Sequence, residues 1–357
     1  MKYKSVINFV VFSLLVFFVF QCNTYLFRGT GTERFRIINM KEEQDLDVIF
    51  LGGSSILAYW QPPRAWNEFG FKSCNCATNN FPMEANKYMM KYGLKYHKPK
   101  LWVVEMRPFY AYTPAVEEGG FRSSSDSLDL LEPIRYEYIH DVIRNRKLEK
   151  NDDVLSYYLD LSFYHTNYWN LKNGSSWLNI FNNYYDHTYQ NKGWEWREDG
   201  VADLEKPEGF ETEEVAQLDP YVDQCLRKLL RFCRKNDQDV LFVSSPFCVN
   251  RESTMIYNGY KKIVESYGYD FLDTNFYYDE MGVDFSTDFH DPSHMNLLGA
   301  EKFTNYVGNY IVDKYGMEDH RDDGDLDVQK WNFYFEKFIT EEVEHRNITY
   351  EIINKKE

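Results

Sequence analysis

Three side chains define the chemistry this chain is equipped for: Ser54, Asp291 and His294. Ser54 closes the stretch Asp47-Val-Ile-Phe-Leu-Gly-Gly-Ser, an apolar run ending in a glycine turn that sets a hydroxyl at the mouth of a buried strand. Downstream, Asp291-Pro-Ser-His294 carries a carboxylate and an imidazole in a D-x-x-H spacing. A serine hydroxyl is inert until a base takes its proton during attack, and histidine is the side chain suited to that near neutral pH. Asp291 would accept from the other ring nitrogen, fixing the tautomer and stabilising the imidazolium. The separation of 240 positions (294 − 54) is no obstacle, because such sites are defined by geometry and not by chain order. Ser55 and His290 are the rival nucleophile and base, and a plain Gly-Gly-Ser-Ser turn is the alternative without chemistry.

The elements that must position these groups follow from the apolar patterning. Asp47–Leu51 reads as a buried parallel strand, and Lys98–Glu105, Asp239–Ser244 and Tyr269–Asp273 read as further strands. Helical spacing covers Met83–Tyr96, Asp219–Asn236, Tyr257–Tyr267 and Asn296–Tyr315, the last opened by the loop that holds Asp291 and His294. Pro62-Pro63 marks an extended break. Strands alternating with helices indicate an α/β fold with a mainly parallel sheet, whose sites lie at the carboxyl ends of its strands.

The domain plan has a membrane helix over 1–27, a polar stalk over 28–46, a catalytic body over 47–317 and a charged tail over 318–357. Residues 111–218 interrupt the α/β rhythm as an insertion or lid, with a helical stretch at Leu128–Lys147 and a Tyr157–Trp196 segment rich in aromatics. Those rings either pack a core or offer a stacking platform for sugars. Arg122-Ser-Ser-Ser-Asp126 is a polar loop, either solvated or facing substrate. In the tail, Trp331-Asn-Phe-Tyr-Phe-Glu-Lys-Phe predicts an amphipathic helix that packs back on the body.

Lys2 and Lys4 precede an apolar run from Val6 to Phe20 that extends to Phe27, reaching the roughly 20 residues of a spanning helix. No small-x-small cleavage site follows, which favours an uncleaved signal anchor, and the short N-terminal tail places the body outside the cell membrane. A net charge of −16 excludes nucleic acid as a partner and opposes contact with anionic headgroups. The six cysteines show no metal spacing and read as buried free thiols. No Walker loop, dinucleotide fingerprint or zinc box is present, so neither cofactor nor metal is expected.

The Gly52-Gly53-Ser54 and Asp291–His294 segments resemble the first and last sequence blocks of the SGNH (GDSL-like) esterase and acyltransferase superfamily. The likeness spans roughly residues 45–110 and 235–312, and it is closest to the membrane-anchored branch that modifies bacterial cell-surface polymers. Pro62 sits where anchored relatives have a proline, and Asn296 and Gly299 extend the match. The resemblance implies a three-layer α/β/α, flavodoxin-like fold, and Ser54 in preference to Ser55. It also implies an acyl group such as acetyl or D-alanyl, carried on a cell-surface glycan or polyol, with a membrane protein as acyl donor. The chain departs from the pattern at the oxyanion hole, where the family offers a glycine amide and an asparagine side chain. Asn79 falls near the glycine position, and Met106-Arg107 stands where the asparagine would be. Gly53, Asn79 and Arg107 are therefore the oxyanion or substrate candidates, with Arg107 equally suited to a buried ion pair. A non-catalytic protein of the same fold, holding envelope polysaccharide, is the competing reading.

Overall fold

The computed structural model describes residues 2–28, 40–41, 43, 45–148, 153–167, 191–197, 200–324 and 326–356. Most of the expected stalk, and the aromatic segment from 168 to 190, lie outside the described residues. The fold is α/β around a five-stranded parallel sheet. Its strands are β1 (Val48–Gly52), β2 (Ser73–Ala77), β3 (Leu101–Glu105), β4 (Val240–Ser244) and β5 (Asp270–Asp273), in the order β2-β1-β3-β4-β5. Chain direction across the sheet reverses between β1 and β3, and the crevice above such a switch point is where α/β sheets place ligands. β1 through β4 are buried on both faces, which is why β1, β3 and β4 read as short apolar runs without alternation.

β2 escaped the periodicity because Ser73-Cys-Asn-Cys-Ala looks polar, yet every residue in it is buried. Asn75 earns its place by donating from Nδ2 to the carbonyls of Ile56 (3.2 Å) and Trp60 (2.9 Å). Those carbonyls belong to the end of the short helix that carries Ser54.

Ten helices of the described residues matter here. The first, α1 (Lys2–Arg28), contains a 22-residue stretch, Tyr3–Thr24, of mean hydropathy 2.3, long and apolar enough to cross a membrane. α2 (Ser54–Tyr59) and α3 (Pro62–Phe69) follow β1. The expected extended break at Pro62-Pro63 is instead a helix start: proline at the first turn lacks only an N–H that would go unpaired there, and its φ suits the helix. α4 (Ala85–Gly93) is shorter than its apolar spacing suggested.

In the 111–218 region the supposed Arg122–Asp126 loop is the helix α5 (Glu118–Asp126), capped by the Glu117 side chain on the Gly119 and Gly120 amides. The stretch expected to be helical from Leu128 begins at Pro133, as α6 (Pro133–Asn145). α7 (Pro220–Lys235) is capped by Asp219, and α8 (Arg251–Ser266) starts six residues before the Tyr257 expected from apolar spacing, because Asn250 and Ser253 form a capping box. α9 (Leu297–Tyr315) and α10 (Leu326–Asn354) close the chain.

α10 packs on α3 as the tail pattern predicted. Trp331 is fully buried with its ring 5.6 Å from that of Trp66, and Arg64 reaches Glu342 (2.5 Å) and Glu301 (3.2 Å). All six cysteines are free; burial pushes the thiols of Cys74 and Cys76 well up and those of Cys225 and Cys233 to about 12, which makes them inert packing groups.

Candidate active site

β1 ends at the sheet's switch point and turns directly into α2. The turn has to start with glycine: a Cβ on Gly52 would lie 2.7 Å from Ile56 Cγ1 and 2.9 Å from Glu105 Cβ. Gly53 is the N-cap of α2, its carbonyl accepting from the Ile56 amide at 3.1 Å. Ser54 is therefore the first helical residue, with its side chain at the sheet edge and its own amide among those that a helix start leaves without a partner inside the helix.

The other half of the site is a tight hairpin, not the open loop that the sequence suggested. β6 (Phe289–Asp291) and β7 (His294–Met295) are antiparallel, and Asp291 pairs directly with His294 across the Pro292-Ser293 turn. The D-x-x-H spacing thus sets the carboxylate beside the imidazole. His294 Nδ1 lies 2.9 Å from Asp291 Oδ2 and 3.1 Å from Oδ1, and the Ser293 amide donates to Oδ1 at 2.7 Å. On the far side of the ring, His294 Nε2 is 2.7 Å from Ser54 Oγ. Asn296 locks the hairpin to α9. Its Oδ1 caps the Leu298 and Gly299 amides, while its Nδ2 donates to the Thr287 carbonyl at 2.6 Å.

A buried network fastens the hairpin to the sheet through the Ser293 carbonyl, which accepts from both Arg107 Nη1 and the Tyr59 hydroxyl (2.8 Å). Tyr59 also donates to the Pro246 carbonyl at 2.7 Å, and Arg107 Nη2 approaches the Ser245 and Pro246 carbonyls at 3.4 Å. The guanidinium rests 4.5 Å from the centre of the Phe247 ring and 4.0 Å from Glu105 Oε1. Of the two roles open to Arg107, the geometry favours the structural one, since both of its terminal nitrogens are turned to carbonyls. Burial pushes the fully buried Glu105 carboxyl up, against the pull of Arg107 and of the Ser245 hydroxyl at 2.7 Å.

Ser55 is buried on the Glu105 side of α2. His290 points elsewhere as well: its ring lies against Gly200, where a Cβ would come within 2.5 Å of Nδ1. Arg122 and Asp126 are both buried and neither faces the site, since Arg122 lies over the Tyr157 and Phe163 rings and Asp126 pairs with Arg135.

Electrostatics suit a base. Burial holds the His294 imidazole below its ordinary 6.5, with Arg107 and Arg197 adding to the effect and Asp291 opposing it. Burial pushes the Asp291 carboxyl up, but hydrogen bonds from His294 and the Ser293 amide outweigh that and keep it below its usual value. Near neutrality the pair is a carboxylate and a neutral imidazole able to accept a proton.

Ser54, His294 and Gly53 open on a cavity of about 410 Å³, also lined by Asn80, Phe81, Met83, Arg107 and Arg146. Asn79 does not line it. The residue on its wall is the next one, Asn80, whose backbone is left-handed with φ +48°. α5 presses on this turn, and a Cβ on Gly120 would lie 2.0 Å from the Asn80 carbonyl oxygen. Gly120→Ala is expected to cost about 1–3 kcal/mol, because it is backbone that must yield; thermal melting of the full chain checks it.

Sequence reasoning missed Tyr59, Asn75 and Gly120, which hold the site without showing any motif of their own. No family model, no curated protein and no solved structure matches this chain.

Proposed function

We propose that the protein is a membrane-tethered serine esterase or O-acyltransferase of SGNH type, acting outside the cell membrane on acyl groups of a cell-surface glycan or polyol. The observation that carries this reading is the chain of contacts Ser54 Oγ–His294 Nε2 (2.7 Å) and His294 Nδ1–Asp291 Oδ2 (2.9 Å), opening on a cavity. A non-catalytic protein has no physical need for all three groups in register. The strand order is that of flavodoxin-like sheets, which supports the three-layer arrangement. The apolar length of α1 supports tethering.

In this mechanism His294 takes the Ser54 proton as the hydroxyl attacks the acyl carbonyl, and Asp291 stabilises the imidazolium. The amide of Ser54, at the helix start, and Asn80, on the cavity wall, are the donors that would face the oxyanion. His294 then protonates the leaving alcohol, and a water or a glycan hydroxyl, deprotonated by the same imidazole, releases the acyl group from Ser54. Arg107 positions the hairpin through Ser293.

A fluorophosphonate probe tests the nucleophile. Labelling of the full chain should persist in Ser55→Ala and vanish in Ser54→Ala; equal labelling of both variants removes Ser54 from the role. The active form is neutral His294, so kcat/KM should be flat near neutrality and decline only below pH 6.5 as the ring protonates. Arg107→Met removes a cation that depresses this imidazole, so the acid limb should move to higher pH. Loss of the charged hydrogen bonds to Ser293 should also lower kcat/KM about ten- to a hundredfold, a cost of roughly 1.5–3 kcal/mol. A pH–rate profile of both proteins reads both effects.

A further inference from the structure

The part of the insertion that touches α1 has its polarity reversed. The Leu161–Tyr164 turn and the His165–Asn167 turn pack against α1. In this segment the charged group is the buried one: Asp160 is 1% exposed and pairs at 2.5 Å with Arg135, itself 0% exposed. Three apolar groups face out, Leu155 at 55%, Leu159 at 41% and Phe163 at 41% exposure, while Tyr157 between them is fully buried. Leu155 and Phe163 lie on two successive short helical turns, and Leu159 is the non-helical residue that ends the first. In water this arrangement is upside down, since apolar side chains gain by burial and carboxylates by hydration.

The same surface borders a groove of about 690 Å³ between α1 and the insertion. Four phenylalanines of α1, from Phe9 to Phe20, form one wall, and Tyr136, Tyr158 and Leu159 form the other. Ser13 and Gln21 are its polar positions. Counting down from Thr24, the end of the apolar stretch, Gln21 lies roughly 5 Å and Phe17 roughly 10 Å along the helix at about 1.5 Å per residue. The Gln21 end of the groove is thus at the depth, about 5–10 Å, at which apolar faces lie in a membrane interface. Its Phe9 end, roughly 22 Å along at about 1.5 Å per residue, is deep in the hydrocarbon.

We infer that the Leu155–Phe163 face is a second membrane contact, seated in the leaflet on the body's side, and that a lipid acyl chain fills the groove along α1. The inference rests on the tethering part of the proposed function and goes beyond it. It assigns the insertion a lipid partner and gives the body a fixed tilt, so the active-site cavity stands at a set height above the bilayer. The attraction is apolar and not electrostatic, in keeping with the acidic charge of the chain.

Site-directed spin labels on the full chain in phosphatidylcholine nanodiscs test it. The background is Cys22→Ser with Cys248→Ser, since the other thiols are buried. Labels go on Leu155→Cys and Leu159→Cys, with Phe12→Cys in α1 as the lipid reference and Leu326→Cys, 81% exposed on α10, as the water reference. Collision with oxygen relative to a water-soluble nickel chelate should rise at both insertion sites well above the Leu326 value, toward that of the deeper Phe12. Values matching Leu326 at those sites, with Phe12 in lipid, overturn the inference and leave the tether standing. Protection from both reagents means that protein covers the face, and also overturns it. A water-like Phe12 sinks the tether, and the inference with it.

Discussion

Ester turnover by the full chain is expected to fall about 10⁴–10⁶-fold in Ser54→Ala, and about 10⁴-fold in Asp291→Asn. The two losses have different origins. Without Ser54 there is no group to carry the acyl intermediate. With asparagine at 291 the geometry survives, but His294 loses the partner that selects its proton-accepting tautomer at Nε2, 2.7 Å from the serine. Because the three residues act as a unit, Ser54→Ala with His294→Ala should cost no more than either change alone. Hydrolysis of p-nitrophenyl acetate under steady-state conditions measures all four proteins. Turnover by Ser54→Ala at the parent rate would end the serine-nucleophile reading.

Arg135→Met is expected to destabilise the insertion by about 3–5 kcal/mol. Its guanidinium is fully buried between Asp126 (3.0 Å) and Asp160 (2.5 Å), and it also donates to the carbonyls of Ser125 (3.2 Å) and Tyr157 (3.0 Å). Methionine fills much of the volume, yet leaves two carboxylates in a site with no charge to balance them. The damage should be local: hydrogen exchange across residues 118–145 and 153–167 should quicken while β1, β3 and β4 keep their protection. Since Gly120 of the same unit abuts the Asn80 turn, turnover should drop as well, with the pH profile unmoved. Unchanged exchange in these two segments would show that the ion-pair cluster does not hold the insertion.

What could be read in the sequence was what depends on local pattern. Apolar runs marked four of the five parallel strands: β1, β3 and β4 are doubly buried and need bulk apolar residues, and the half-buried edge strand β5 shows only its Phe271-Leu272 pair. Ser54, Asp291 and His294 stood out because a glycine turn and a D-x-x-H spacing each constrain geometry within a few residues. β2 was hidden because its polar Asn75 finds buried partners only in α2, a tertiary fact. α5 was hidden because Glu118-Gly-Gly-Phe-Arg-Ser-Ser-Ser-Asp is poor in helix formers, and the helix relies on its Glu117 cap and on packing. The clamp of Tyr59 and Arg107 on Ser293 joins positions 59, 107 and 293, and no spacing rule links such distant residues.

The gap of 240 positions between Ser54 and His294 also has a meaning in time. A ribosome adding about 5–20 residues per second needs roughly 10–50 s to cover it. All five strands of the sheet are made before Asp291, since β5 ends at Asp273. A nascent chain therefore completes its sheet before it has either the hairpin or α9, whose Thr304 hydroxyl donates to the Tyr59 carbonyl at the end of α2. The Ser54 hydroxyl thus meets its proposed base only after the whole sheet has been made.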